Sequence, residues 1–209
     1  VWSLEQGNDK AIYFANNYYF LRYDGVKWEK YSLPNKTIIR SVFVDGDRIY
    51  TGSYKEFGYW YRKLGKMFYV SISKSKKDSV FDEGGNEEIW KIFKFNSTIY
   101  FQSFNGLFLY DGSTIKKNKF NFLASYCFSI GNELLIASVD QGVFKLNNSK
   151  FEKVKGWSIL ENNVIHAIEK HQSKTYFFTK KNGVFVEEKG VLYAWNSSLN
   201  TILKASNIN

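Results

Sequence analysis

Apolar residues in this chain come in short bursts broken at close intervals by polar turns. Bursts of this length are short for helices and match strands buried among neighbours. Five of them share one signature: Ile12-Tyr13-Phe14, Ile49-Tyr50-Thr51, Ile99-Tyr100-Phe101, Leu135-Ile136-Ala137 and Thr175-Tyr176-Phe177. Successive anchors start 37, 50, 36 and 40 residues apart, near the period of about 40–45 residues that marks repeats of four strands each.

The same order of events surrounds each anchor. Upstream lies a strand with a large residue at its second position: Val1-Trp2-Ser3-Leu4, Ile39-Arg40-Ser41-Val42, Ile89-Trp90-Lys91-Ile92, Ser125-Tyr126-Cys127-Phe128 and Ile165-His166-Ala167-Ile168. Downstream, a loop ending in Gly58, Gly106, Gly142 or Gly183 opens a third strand, and the first repeat has Asn16-Asn17-Tyr18 there instead. A tight turn then leads to a fourth strand: Asp24-Gly25, Asp111-Gly112, Asn147-Asn148 or Lys189-Gly190. Such pairs suit the positive φ angles of short hairpins.

These periods predict an all-β chain: a β-propeller built from four-stranded antiparallel blades, here about five blades of a larger or incomplete ring. A single blade leaves both sheet faces exposed and needs neighbours to bury them. The expected blades lie at about 1–35, 36–75, 88–122, 123–157 and 163–195 of one propeller segment. Two stretches break the rhythm. Residues 74–88 form a charged insertion, read as a surface loop with a lid over one mouth as the alternative. Residues 196–209 read as a short helix or linker towards a sixth blade, with Ser197 or Ser198 as cap and Leu199, Ile202 and Leu203 at helical spacing.

Composition narrows the class further. Aromatics make up 19% of the 209 residues, a bias towards pleated, half-buried surfaces. The net charge of +9 comes from scattered lysines beside turns (Lys74, Lys116, Lys180) rather than from a cluster on a helix. That pattern fits strand edges guarded against further pairing and argues against nucleic acid. Cys127 is the only cysteine, so neither an internal disulfide nor a cysteine-based metal site is expected. No leader and no span long enough for a bilayer is evident. A start at Val1, inside an expected strand, reads as a piece of a longer protein.

The stretches Val1-Trp2-Ser3-Leu4-Glu5-Gln6, Tyr23-Asp24-Gly25-Val26-Lys27-Trp28, Gly52-Ser53-Tyr54-Lys55-Glu56-Phe57-Gly58 and Ile89-Trp90-Lys91-Ile92-Phe93 resemble, in order and spacing, the two-component regulator propeller proteins of bacteria. The likeness covers nearly the whole chain, although each motif is short. It implies a periplasmic, or at least extracytoplasmic, sensing module without catalysis in this segment. It also implies downstream partners in the same protein: a triple-tyrosine β-sandwich, a membrane helix, and a histidine kinase or DNA-binding output. A small-molecule or oligosaccharide ligand and a homodimer are compatible with it. The alternatives are a protein-binding scaffold, or a propeller that binds or cleaves glycans.

Candidate chemistry is sparse. His166 and His171 are the only histidines, and their spacing is not that of a metal pair. No nucleophile elbow, phosphate loop or zinc-protease motif occurs. No catalytic residue, metal or cofactor is therefore expected. The candidate ligand-binding residues are the large positions of the first strands, Trp2, Arg40, Trp90, Tyr126 and His166. In a propeller these innermost strands line the channel, and aromatic rings with a guanidinium suit flat apolar or sugar faces. The competing reading is that these side chains only pack between blades. Tyr54, Phe57, Tyr59 and Trp60 form a secondary aromatic set around Gly58.

Overall fold

The computed structural model describes residues 1–74, 80–82, 85–147 and 150–206. The strands form five four-stranded sheets, each an antiparallel meander in chain order. They fall into two compact units, Val1–Asn118 and Lys119–Asn209.

The first unit holds three blades. Blade 1 is β1 (Ser3–Gln6), β2 (Ile12–Ala15), β3 (Phe20–Tyr23) and β4 (Trp28–Tyr31). Blade 2 is β5 (Ile39–Asp45), β6 (Arg48–Ser53), β7 (Glu56–Lys63) and β8 (Lys66–Ser71). Blade 3 is β9 (Lys91–Phe95), β10 (Thr98–Gln102), β11 (Gly106–Tyr110) and β12 (Ile115–Lys119), the last ending at the unit boundary. The second unit holds blade 4, with β13 (Ala124–Ile130), β14 (Glu133–Ser138), β15 (Val143–Asn147) and β16 (Lys150–Lys153). Blade 5 follows with β17 (Ile165–His171), β18 (Lys174–Thr179), β19 (Val184–Glu188) and β20 (Val191–Ala194), and then α1 (Ser198–Ala205).

The anchor bursts are the second strands, and their burial explains why they read as continuous apolar runs. In β6, β10 and β14 every residue after the first is buried. The fourth strands β4 and β8 alternate between half-buried and exposed, as a blade edge should. Between blades 1 and 2 the core is aromatic: Phe20 stacks on Tyr13 at 5.6 Å and on Trp60 at 5.3 Å. Between blades 2 and 3, Phe57 sits 4.3 Å from Phe101 and 5.2 Å from Phe108. Between blades 4 and 5, Trp157 meets Phe177 edge-on at 4.9 Å beside Leu160 and Ile165.

Three expectations change. Gly58 does not end a loop; it lies inside β7, and the loop before that strand is Tyr54-Lys55. Phe57 pairs with Gly52 as Leu107 pairs with Gln102, Val143 with Ala137 and Val184 with Phe178. Glu56 therefore occupies the position of Gly106, Gly142 and Gly183. Its buried carboxylate accepts hydroxyls from Tyr69 (2.9 Å), Ser71 (2.6 Å) and Ser73 (3.2 Å) and pairs with Lys74 at 2.9 Å. Phe57 and Trp60 consequently point into the two cores, and of the secondary aromatic set only Tyr54 is exposed.

The second change concerns the insertion. Its described part is anchored to blades 2 and 3. Phe81 is buried against Phe57 and Phe108, Lys117 binds Asp82 at 3.2 Å and the buried Glu87 at 2.6 Å, and Lys55 N donates to Glu87 O at 2.9 Å. Residues 75–79 and 83–84 of the insertion lie outside the described residues, as do Asn148, Ser149 and 207–209.

The third change is a register. In blade 4 Tyr126 pairs with Ala137, as Ser41 pairs with Gly52 and Ala167 with Phe178. The equivalent of Arg40 and His166 is therefore Ser125, and the equivalent of Ile49 is Leu134. One residue of slip moves a side chain to the other face of the strand, so Tyr126 does not belong to the series that contains Arg40.

At the C-terminal end, Ser197 is the cap of α1 and accepts from Leu199 N at 3.2 Å. The helix is fixed by Asn200, whose Oδ1 accepts from Val184 N at 2.7 Å while Nδ2 donates to Val184 O and Trp195 O.

Candidate functional site

The corrected series is Trp2, Arg40, Trp90, Ser125 and His166, the residue entering each first strand. At Arg40, Ser125 and His166 the ladder carries a one-residue bulge, a device that re-aims a side chain out of the regular pleat. Pairing places a second series beside it, two residues after the equivalent second-strand positions Ala15, Gly52, Gln102, Ala137 and Phe178: Asn17, Tyr54, Phe104, Val139 and Lys180. Each blade thus brings one residue from either series to the same sheet edge.

In the first unit β1 lies against β5 and β5 against β9, which gathers three blades' residues into one cluster. The Arg40 guanidinium lies over Trp2 at 4.2 Å and over Trp90 at 4.8 Å. Trp2 and Trp90 meet edge-on at 6.3 Å. Glu88, at the end of the insertion, takes the side of the guanidinium fork with Nε–Oε2 at 3.2 Å and Nη2–Oε1 at 3.3 Å. Stacking of this kind contributes about 0.5–2 kcal/mol per ring, more as water is excluded, and the Arg40 side chain is 13% exposed. Glu88 and the two indoles together occupy Arg40, so it acts as a rigid spacer rather than as an open clamp for a ligand carboxylate.

The second series completes the rim. Trp2 Nε1 donates to Asn17 Oδ1 at 2.7 Å, and Trp90 packs on Phe104 at 5.2 Å. Trp2 is 51% exposed, and Tyr54 and Phe104 are also exposed, so flat apolar faces surround a fixed positive centre. The indole Nε1 of Trp90 is buried with no hydrogen-bond partner among the described residues. Tyr54 belongs to the secondary aromatic set read from the sequence, whereas Phe104 and Glu88 were not among the candidate residues. The signal for Phe104 is alignment of the loops after the second strands.

In the second unit His166 lies 6.1 Å from the Tyr126 ring. Tyr126 keeps this contact although it belongs to a different strand position. His166 Nε2 is buried with no partner among the described residues. Burial, with Lys180 nearby, lowers the imidazole pKa below its ordinary value and keeps the ring neutral. His171 ends β17 and is exposed. Cys127 is buried in β13. Among the described residues no group of three or more His, Cys, Asp or Glu is placed to hold a metal, and no helix is long and apolar enough to cross a membrane.

No protein-family model and no curated protein matches the sequence. Solved structures do match. The extracellular domain of the hybrid two component system BT4673 from B. thetaiotaomicron superposes with a TM-score of 0.67 over 90% of this chain at 15% identity. The WD40 β-propeller domain of Doa1 superposes with a TM-score of 0.64 over 92% at 13% identity. The fold is a β-propeller. YCF48 bound to D1 peptide is a further propeller-like neighbour, with a TM-score of 0.62 and 10% identity. The propeller segment spans 26% of the BT4673 chain and about two thirds of the other two (67% and 66%). Its fold matches part of the extracellular domain of that two component system.

Proposed function

We propose that this propeller segment is an extracytoplasmic ligand-sensing module of a membrane-linked signal transduction or transcription regulator, with no catalysis of its own. The observation that carries the reading is the Trp2–Arg40–Trp90 stack, with its exposed aromatic rim at the edge where three blades' first strands begin. The fold shared with an extracellular sensor domain supports it. The ligand class that suits the rim is a small molecule or oligosaccharide with a flat apolar face. Such a face would lie on Trp2, with Tyr54 and Phe104 beside it. Because Arg40 is already held by Glu88, a ligand meets a surface that needs little reordering, and little binding energy is lost to fixing side chains. Signalling would follow by population shift, the ligand favouring one arrangement of the downstream parts.

The test is a thermal-shift screen of oligosaccharides and small aromatic solutes, followed by calorimetric titration of hits. A hit should bind Trp2→Ala at least tenfold more weakly while this variant melts within a few degrees of the parent. A hit that binds Trp2→Ala and Arg40→Ala like the parent would remove this rim as the site. If His166→Ala alone loses binding, the site lies in the second unit.

A further inference from the structure

The outer hairpin of blade 2 is longer than its counterparts. Tyr23 pairs with Trp28 across the β3–β4 turn, Leu146 with Phe151 across β15–β16 and Glu187 with Leu192 across β19–β20. The matching pair in blade 2 is Trp60 with Tyr69. In blade 3 Asp111 N donates to Thr114 O, as Asp24 N does to Lys27 O, so that turn is also of the short kind. Two further residues on each strand carry the blade 2 hairpin roughly 7 Å beyond the level of the others, at about 3.4 Å per residue.

The residues on this extension are not those of a solvated turn. Leu64, at the apex, is 95% exposed and has φ +50°, a left-handed conformation that suits Asn or Gly and disfavours leucine. Neither packing nor backbone geometry accounts for a leucine there. Lys63 and Lys66 pair across the hairpin, both exposed, and neither has an acidic partner among the described residues. One step further back Tyr61 and Phe68 stack at 5.7 Å, with Phe68 43% exposed. These five residues line a groove of about 400 Å³. Arg62 is different, since Glu29 holds it at 2.7 Å. The turn of the adjoining blade 1 presents a second bare aliphatic, Val26, at 93% exposure.

We propose that the end of the β7–β8 hairpin docks on an anionic lipid surface. The apex carries an aliphatic, the next level two free ammonium groups, and the level behind them an aromatic pair. Acyl chains, phosphates and the headgroup layer of a bilayer follow one another in the same order. A protein partner fits less well, because interface cores are depleted of lysine, whereas ammonium groups at lipid phosphates keep part of their water. The chain's net charge of +9 acts in the same direction.

The test is co-sedimentation with vesicles of phosphatidylcholine alone and of phosphatidylcholine mixed with phosphatidylglycerol. The protein should partition onto the mixed vesicles only, and added salt should release it. K63E/K66E should lower the partition coefficient by about 25-fold or more, at about fivefold for each lysine. L64N should lower it as well while leaving the melting temperature equal or higher, because Asn relieves the left-handed φ; this separates loss of docking from loss of fold. Absence of binding to the mixed vesicles overturns the proposal. So does parent-like binding by both variants, which would assign any binding to another basic face.

Discussion

At the scale of single residues, the structure turns on a few side chains whose surroundings allow no substitute. A Cβ at Gly58 would lie 2.1 Å from Val70 O and 2.7 Å from the Tyr69 hydroxyl. Gly58→Ala should therefore destabilise the chain by about 1–3 kcal/mol, the usual cost of overpacking, measured by urea denaturation. Glu56 is a carboxylate where three other blades have glycine, and its three hydroxyl donors raise a second expectation. Glu56→Ala leaves those donors and Lys74 without their acceptor, at a cost of about 1–3 kcal/mol. Burial also raises the pKa of the Tyr69 hydroxyl, with Glu56 adding to the effect, so this phenol stays a donor throughout the neutral range. His166 gives a pH signature. Its folded pKa is lowered, first by burial and then by Lys180. The unfolded chain therefore takes up this proton first as pH falls. Stability present above about pH 6.5, the ordinary histidine value, is lost on acidification towards the folded pKa. Melting temperatures between pH 8 and pH 5 should fall less steeply in His166→Phe than in the parent.

At the scale of elements, the blades depend on anchors that come from outside their own strands. Phe81 belongs to the insertion, yet it completes the core between blades 2 and 3 against Phe57 and Phe108. Phe81→Ala should cost about 3–5 kcal/mol, whereas a solvated loop residue would cost almost nothing; chemical denaturation decides between them. Helix α1 depends on Asn200 in a similar way. Asn200→Ala removes three hydrogen bonds to Val184 and Trp195. The Val184 amide should then exchange hydrogen much faster, while amides in the middle of β18 keep their protection.

At the scale of the whole molecule, the candidate site depends on which residues the repeat brings to one edge. Each strand position is weak as a motif, and the cluster exists only because three first strands lie side by side in the first unit. The same repetition exposes what is irregular: one hairpin longer than the rest, and one turn with leucine where the backbone suits Asn. A propeller with identical blades would show neither. Both departures mark the end of the β7–β8 hairpin, which shares no residue with the Trp2 cluster, so the vesicle and ligand titrations should respond to different variants.

The sequence by itself determined the strand content, the number of sheets and their order. These follow from local periodicity, because a second strand buried on both faces must be apolar throughout and a tight turn must carry its Asp-Gly or Asn. It also identified Trp2, Arg40, Trp90 and His166 as one series. Only the tertiary structure decided that Ser125 and not Tyr126 completes that series. Strands of blade 4 are apolar on both faces, so a slip of one residue leaves the pattern unchanged, and pairing partners alone fix the register. It likewise decided that Glu88 locks Arg40 and that Glu56 stands in a glycine's place, because the groups satisfying these charges lie 48 residues away in one case and on a neighbouring strand in the other.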